Sequence, residues 1–163
     1  MEPVQSLPTP PHVVTYAGFW KRFFAYIIDK LILSVIACII LIPFIATVGV
    51  SAFLHGGDEE PPIEFFVALI STYLPAILLI VVADWLYYAL LESKRGATLG
   101  KMALGIQVTD MNGNRITFPR ATGRHFGKII SALILYVGFM IAGFTQQKQA
   151  LHDIIAGTLV INK

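Results

Sequence analysis

Polar and apolar positions along this chain fall into blocks rather than onto alternating faces. The stretch from Gly18 to Leu54 opens on Lys21, Arg22, Asp29 and Lys30, then runs 24 residues from Leu31 to Leu54 without a charge. About 20 apolar residues at 1.5 Å rise cross a hydrocarbon core of roughly 30 Å. No polar face interrupts the run, so it predicts a transmembrane helix over about 27–54. The stretch His55-Gly-Gly-Asp58-Glu59-Glu60-Pro61-Pro62-Ile-Glu64 reads as an acidic loop, because Gly and Pro pairs end helices. Nineteen uncharged residues from Phe65 to Ala83 follow and predict a second span, over about 64–91. A third run, Ile129 to Phe144, is 16 uncharged residues long, or roughly 24 Å as a helix. That is short for a crossing. Over about 125–145 it predicts either a third span or a re-entrant pair of half-helices broken at Gly138.

Between the second and third runs, Gly105-Ile-Gln-Val-Thr-Asp110-Met-Asn-Gly-Asn-Arg115-Ile-Thr-Phe118 alternates apolar and polar residues around Asn112-Gly113. That dipeptide favours a two-residue type I′ turn. The pattern predicts a β-hairpin over 105–118, with Asp110 facing Arg115 and Pro119 ending the second strand. From Arg120 the pattern turns helical and places Arg120, Arg124 and Lys128 on one face. Thr158 to Ile161 is β-prone; if it pairs with the hairpin, the third run must return and the C-terminus must be cytoplasmic. Residues 1–17 hold Pro3, Pro8, Pro10 and Pro11 and read as a mobile tail, with 18–163 as a single membrane domain. The first apolar run starts too late for a signal peptide, so the first helix is expected to be retained. The predicted fold is an all-α membrane protein with two full transmembrane helices, a third spanning or re-entrant segment, and a small cytoplasmic β-hairpin.

Composition agrees: 56% of residues are hydrophobic and 13% charged, the balance of a membrane protein. A net charge of +2 gives no argument for nucleic acid, and the single Cys38 excludes an intrachain disulfide. The distribution of Lys and Arg says more than the sum. Three fall by residue 30, none in the 55–64 loop, seven in 92–128 and two after that. Basic residues stay on the cytoplasmic side during insertion, which predicts a multi-pass protein with a cytoplasmic N-terminus and the acidic loop outside. The basic segment should also attract anionic headgroups, at about 1 kcal/mol per residue near the surface.

Candidate chemistry begins at the mouth of the first span. Arg22 and Asp29 are seven residues apart, within about 20° of one another on a helix and separated by about 10 Å. Phe19, Trp20, Phe23, Phe24 and Tyr26 form an aromatic collar there. Either the two charges snorkel to water, or Asp29 faces a protein interior and needs a partner. Catalytic motifs are missing from the sequence. Gly96-Ala-Thr-Leu-Gly100-Lys101 is one residue short of a phosphate loop and is followed by Met102. Its glycines are better suited to a turn and close packing, with Lys101 reaching lipid phosphates. His152-Asp153 has no third ligand in a metal-binding spacing, and no Gly-x-Ser-x-Gly elbow occurs. The expectation is therefore no enzyme, no cofactor and no metal.

Three stretches carry a family resemblance: Ala17-Gly-Phe-Trp-Lys-Arg22-Phe-Phe-Ala-Tyr-Ile-Ile-Asp29, Gly96-Ala-Thr-Leu-Gly100-Lys101-Met-Ala-Leu-Gly105-Ile-Gln-Val, and Gln149-Ala-Leu-His152-Asp153-Ile-Ile-Ala-Gly157-Thr-Leu-Val. Together they resemble the RDD family of small integral membrane proteins, named for one arginine and two aspartates. The resemblance implies that Arg22 and Asp29 are the arginine and first aspartate, with Asp153 assigned as the second; Asp84, Lys101, Arg124 and His152 are secondary candidates. It also implies a bacterial inner-membrane protein with a possible role in ion or solute transport, Na⁺/H⁺ exchange among the candidates. The residues themselves leave three roles open for Arg22, Asp29 and Asp153: an ion-pair cluster pinning the C-terminal segment, a monovalent-cation or proton site, or a lipid-headgroup contact. An arginine beside a carboxylate holds it ionised, which works against a proton carrier. Two or three helices without an internal repeat cannot alternate access alone. Transport would therefore need a homo-oligomer or a partner membrane protein, for which Gly138 and Ala142 offer one small-xxx-small spacing. The competing reading is a non-transporting adaptor that binds or stabilises a membrane complex.

Overall fold

The computed structural model describes residues 14–55, 62–133 and 137–163. Two long helices dominate it: α1 (Phe19–His55, 37 residues) and α2 (Ile63–Arg95, 33 residues). Both are long and apolar enough to cross a membrane, and their most apolar windows are only 0% and 6% buried. A soluble core helix would bury that surface, whereas a helix facing lipid need not. The pair is antiparallel. Lys30 near the start of α1 meets Asp84 near the end of α2, and Thr47 and Val48 share a small cavity with Phe65, Leu69 and Thr72. Lys94 and Arg95 suit the negative end of the α2 dipole. Gly96 then ends the helix at φ +73°, a left-handed conformation that glycine adopts without steric cost.

After α2 the chain builds a compact cap from short elements: α3 (Leu99–Ala103), β1 (Ile106–Asp110), α4 (Phe118–Leu133), α5 (Val137–Met140), a 3₁₀ turn at Ile141–Gly143, α6 (Leu151–Ala156) and β2 (Thr158–Asn162). A small core of Ala25, Ala89 and Ala121 with Ile106, Val108 and Val160 ties the cap to both long helices.

The hairpin expected over 105–118 does not form. β1 pairs antiparallel with β2 instead, with Ile106 opposite Asn162, Val108 opposite Val160 and Asp110 opposite Thr158. The reason lies at Asp110, whose Oδ1 accepts the backbone N–H of Asn112 (2.9 Å) and of Asn114 (2.8 Å). This side-chain turn ends the strand and redirects the chain. Arg115 does not face Asp110 either; it donates to the Lys94 carbonyl at 3.0 Å, and Arg120 lies 4.0 Å from Asp110. Pro119 sits in the first turn of α4, where a missing N–H costs nothing, rather than closing a strand.

The third apolar run returns. Gly138 lies so close to Ser131 that an added Cβ would approach the serine backbone to 2.9 Å. The chain therefore runs back from α4 to α5, and Gly138 lies within α5, buried against α4, rather than at a break; residues 134–136 lie outside the described residues. Ala142 is also buried within the chain. At the other end, Tyr16 bridges to Ile161 and the Ala17 N–H donates to the Val160 carbonyl at 2.9 Å. The remainder of the proline-rich stretch, 1–13, and the acidic residues 58–60 lie outside the described residues.

Candidate functional site

Two charged centres sit where α1, α2 and the cap meet. In the first, Asp29 is fully buried. Its Oδ1 accepts the Tyr87 hydroxyl (2.7 Å) and the Gly100 N–H (2.7 Å), while Oδ2 accepts the Thr98 hydroxyl (2.5 Å). Glycine is required at position 100, because a Cβ there would overlap the Ala25 carbonyl and come within 3.0 Å of the Asp29 carboxylate. Asp29 thus anchors the start of α3 to α1.

The second centre runs through Asp153, Arg124 and Glu92. Arg22 from α1 and Arg124 from α4 converge on Asp153; the Arg124 Nε lies 2.7 Å from Oδ1, and the Arg22 Nη1 meets Oδ2. Asp153 Oδ2 also accepts the Ala150 N–H at 3.1 Å, which caps α6. Arg124 Nη1 reaches across to both Glu92 oxygens, at 2.9 and 3.0 Å. Glu92 is held in addition by Lys101 at 2.6 Å and Lys128 at 3.4 Å. His152 lies between Ser131 Oγ (3.4 Å) and Asp153 Oδ1 (3.4 Å). Separately, Asp84 pairs with Lys30 at 2.6 Å, with His125 4.0 Å away.

Electrostatics in the cap follow from this packing. Burial works against the Asp153 carboxylate, but Arg124 and Arg22 outweigh it and hold the carboxyl below its usual range. Burial also works against the Arg124 cation, and Asp153 and Glu92 more than compensate, so its pKa rises. Lys101 fares differently. Burial, reinforced by Arg124, pulls it down to about 7 even though Glu92 is its partner. His152 is pushed by burial to about 3, against the pull of Asp153, and is a neutral imidazole at physiological pH.

Of the residues singled out from sequence, the fold brings Arg22, Arg124, His152 and Asp153 into contact and joins Lys101 to them through Glu92. Asp29 and Asp84 stand apart in their own contacts. Lys101 is 7% exposed and points inward onto Glu92, not outward to lipid phosphates. Glu92 is the hub that sequence reasoning missed. Arg124 and Lys128, one turn apart on α4, both meet Glu92, while Arg120 on the same face stays exposed near Asp110; Glu92, at the end of the second apolar run, was available as their partner. Tyr87 and Thr98 gave no comparable signal. Among the described residues, no group of three His, Cys, Asp or Glu side chains is placed to hold a metal.

Between α1 and the cap lies a cavity of about 320 Å³. Phe19, Phe23, Tyr26, Phe139 and Met140 form its apolar walls. Arg22, Asp29, Tyr88, Lys101, Lys128 and His152 also border it, but nearly all of the surface that they and the others present to the cavity is apolar.

The chain is 41% identical to an uncharacterised protein of Bacillus subtilis, YxaI, over 153 residues covering 90% of this chain and 97% of that one. It is 28% identical to the uncharacterised membrane protein YteJ of the same organism, covering 91% of this chain and 82% of YteJ. It is also 32% identical to the uncharacterised protein RP437 of Rickettsia prowazekii, over 67% of this chain and 57% of that protein. No solved structure matches it. The RDD family profile matches residues 16–157, which take in both long helices and both charged centres, and the chain therefore belongs to the RDD family of membrane proteins.

Proposed function

We propose that the protein is a non-enzymatic, non-transporting adaptor in a bacterial inner membrane, with a cytoplasmic N-terminus, that binds or stabilises a partner membrane protein. One observation carries this reading: the acids that a cation carrier would use are occupied, and the cavity beside them is almost wholly apolar. Each Asp29 oxygen accepts hydrogen bonds, Asp153 is held by two arginines, and Glu92 is held by three basic side chains. Intramembrane charges generally face inward and pair, marking either a pathway or a structural joint. Complete pairing favours the joint. An Na⁺ entering this cavity would meet an almost wholly apolar wall rather than a free carboxylate.

A second reading is ion or small-solute transport as an oligomer, with Na⁺/H⁺ exchange as the candidate reaction. It draws support from Lys101, which lines the cavity with a pKa brought to about 7 and so can exchange a proton near neutrality. The two readings separate in proteoliposomes carrying an internal pH dye, with Na⁺, K⁺ and Li⁺ gradients applied in turn. The expected outcome is the empty-liposome rate for wild type and Asp29→Asn alike. Cation-driven proton flux in wild type that disappears in Asp29→Asn would overturn the adaptor reading in favour of transport.

A further inference from the structure

Helix α4 touches two levels of α2 with two different faces. Trp85 lies just past the uncharged run Phe65–Ala83. Its ring packs against Phe118 (6.0 Å between centres) and Phe126 (6.4 Å), and its Nε1 donates to the Thr122 hydroxyl at 3.2 Å. At the same level His125 Nε2 stands 4.0 Å from Asp84. Glu92, about 10 Å further along α2, meets Arg124 at 2.9 Å and Lys128 at 3.4 Å. Phe118 and Phe126 are about 12 Å apart along α4, yet both touch one residue of α2. A helix running alongside α2 would pass from level to level instead. The α4 axis therefore crosses α2 at a steep angle. Its Phe118, Thr122 and Phe126 side is turned toward the uncharged run of α2, and its Arg124 and Lys128 side is turned away.

The side turned toward the run is open. Phe126 is 52% exposed, Ile129 49% and Ile130 47%, and Ile129 follows Thr122 on nearly the same line of the helix. On α2, Val81 and Val82 lie one turn before Trp85 on its side and are exposed as well. An apolar surface thus continues from α2 onto α4, with Trp85 at the junction. Arg120, on the opposite side of α4 from Ile129, is exposed near Asp110. A helix with charged groups on one side and large apolar groups on the other lies flat at a membrane surface, and tryptophan is enriched at that level.

We propose that α4 is an interfacial helix lying in the plane of the membrane, with Phe126, Ile129 and Ile130 sunk into the acyl chains of the leaflet nearest the cap. What covers this face is bilayer hydrocarbon, because the face continues the surface that α2 already turns to lipid. The Arg124–Glu92 pair then lies on the headgroup side of α4, and the first part of the third apolar run rests on the membrane rather than crossing it. The placement rests on α1 and α2 spanning the bilayer, and holds whether the chain acts as adaptor or carrier.

The test is spin-label accessibility in the full chain, reconstituted in vesicles of phosphatidylglycerol and phosphatidylcholine. Phe126→Cys, Ile129→Cys, Ile130→Cys, Arg120→Cys and Leu74→Cys are labelled one at a time in a Cys38→Ser background. Labels at 126, 129 and 130 should collide more with dissolved oxygen than with a water-soluble nickel chelate, at a depth of about 5–10 Å. The label at 120 should show the reverse preference. Leu74, exposed midway along the uncharged run of α2, should report a deeper position and so checks the span separately. Phe126→Cys gives up a ring contact with Trp85; should it fail to fold, Ile129→Cys and Ile130→Cys still decide between lipid and water. An excess of nickel collisions at 129 and 130 would put this face in water. Few collisions with either reagent would mean that protein covers it, whether a second copy or a partner. A label at 130 about 6 Å deeper than that at 126 would mean that α4 stands along the membrane normal. Nickel access at 74 would remove the span on which the placement rests. Any of these four results overturns the proposal.

Discussion

Asp29 and Asp153 are both wholly buried acids, yet neutral donors hold the first and arginines the second. Removing one partner from a buried charge pair costs about 3–5 kcal/mol, because the other charge is left without compensation. Arg124 therefore matters twice over, as the only side chain among the described residues bonded to both Glu92 and Asp153. The neighbouring His152 makes this centre acid-sensitive. Burial depresses its folded-state pKa from 6.5 to about 3, against Asp153 and with help from Arg124, Lys128 and Lys101. Between those values the unfolded chain binds a proton that the folded chain refuses, so stability falls as pH drops through that window. The slope is on the order of 1.4 kcal/mol for each pH unit crossed. Melting temperatures in detergent at pH 7, 5.5 and 4 should fall steadily for wild type. His152→Gln should flatten the decline down to about pH 4, below which protonation of Asp153 adds its own loss, since its folded pKa is depressed too.

At the scale of elements, α4 and α6 are built inside out. Along α4, Ala121, Arg124, Gly127 and Ser131 are buried at helical spacing, while Phe126, Ile129 and Ile130 are exposed. In α6, His152 and Asp153 are buried while Ile154 and Ile155 are exposed. Charges inward and apolar groups outward is the arrangement that lipid favours and water does not. This explains what the sequence made legible. Long uncharged runs declare α1 and α2 by composition alone, and the basic face of α4 is visible at every fourth residue. The pairing of β1 was not visible, because Asn112-Gly113 imitates a hairpin turn. Only the Asp110 side-chain bonds, together with a strand 50 residues away, decide otherwise. Glu92 escaped notice for a related reason: its three basic partners come from α3 and α4 and meet it only after folding. Close packing gives a test at this scale. Gly100→Ala would place a methyl group on the Ala25 carbonyl and should destabilise the protein by at least about 1–3 kcal/mol. Gly123→Ala, in the middle of α4 with nothing within 4 Å, should be neutral or stabilise by up to about 1 kcal/mol. Thermal unfolding of the two variants side by side checks the contrast, and equal melting temperatures would mean that α3 does not press against α1 in this way.

Across the whole molecule, the chain ends are tied together. The Asn162 N–H donates to the Thr15 carbonyl at 2.8 Å, the Lys163 N–H to the Gly105 carbonyl at 2.8 Å, and the Val108 N–H to the Gly96 carbonyl at 2.7 Å. The start of α1, the end of α2, the small sheet and the C-terminus therefore share one end of the antiparallel helix pair. The end of α1 at His55 and the start of α2 at Ile63 lie at the other. If the helices span, residues 14 and 163 must face the same compartment, and residue 63 the opposite one. Nearly all Lys and Arg lie at the first end, and a cytoplasmic N-terminus, as proposed above, would put that end on the cytoplasmic side. Single cysteines placed at Val14, Ile63 and Lys163 in a Cys38→Ser background test this with a membrane-impermeant maleimide on right-side-out spheroplasts. Ile63→Cys should label at once, and Val14→Cys and Lys163→Cys only after permeabilisation. Labelling of Lys163→Cys from outside with Val14→Cys protected would separate the two ends. It would break the β2 contacts with residues 15–17, and with them the placement of Asp153 against Arg22, since both depend on the C-terminal segment returning to the side where the chain begins.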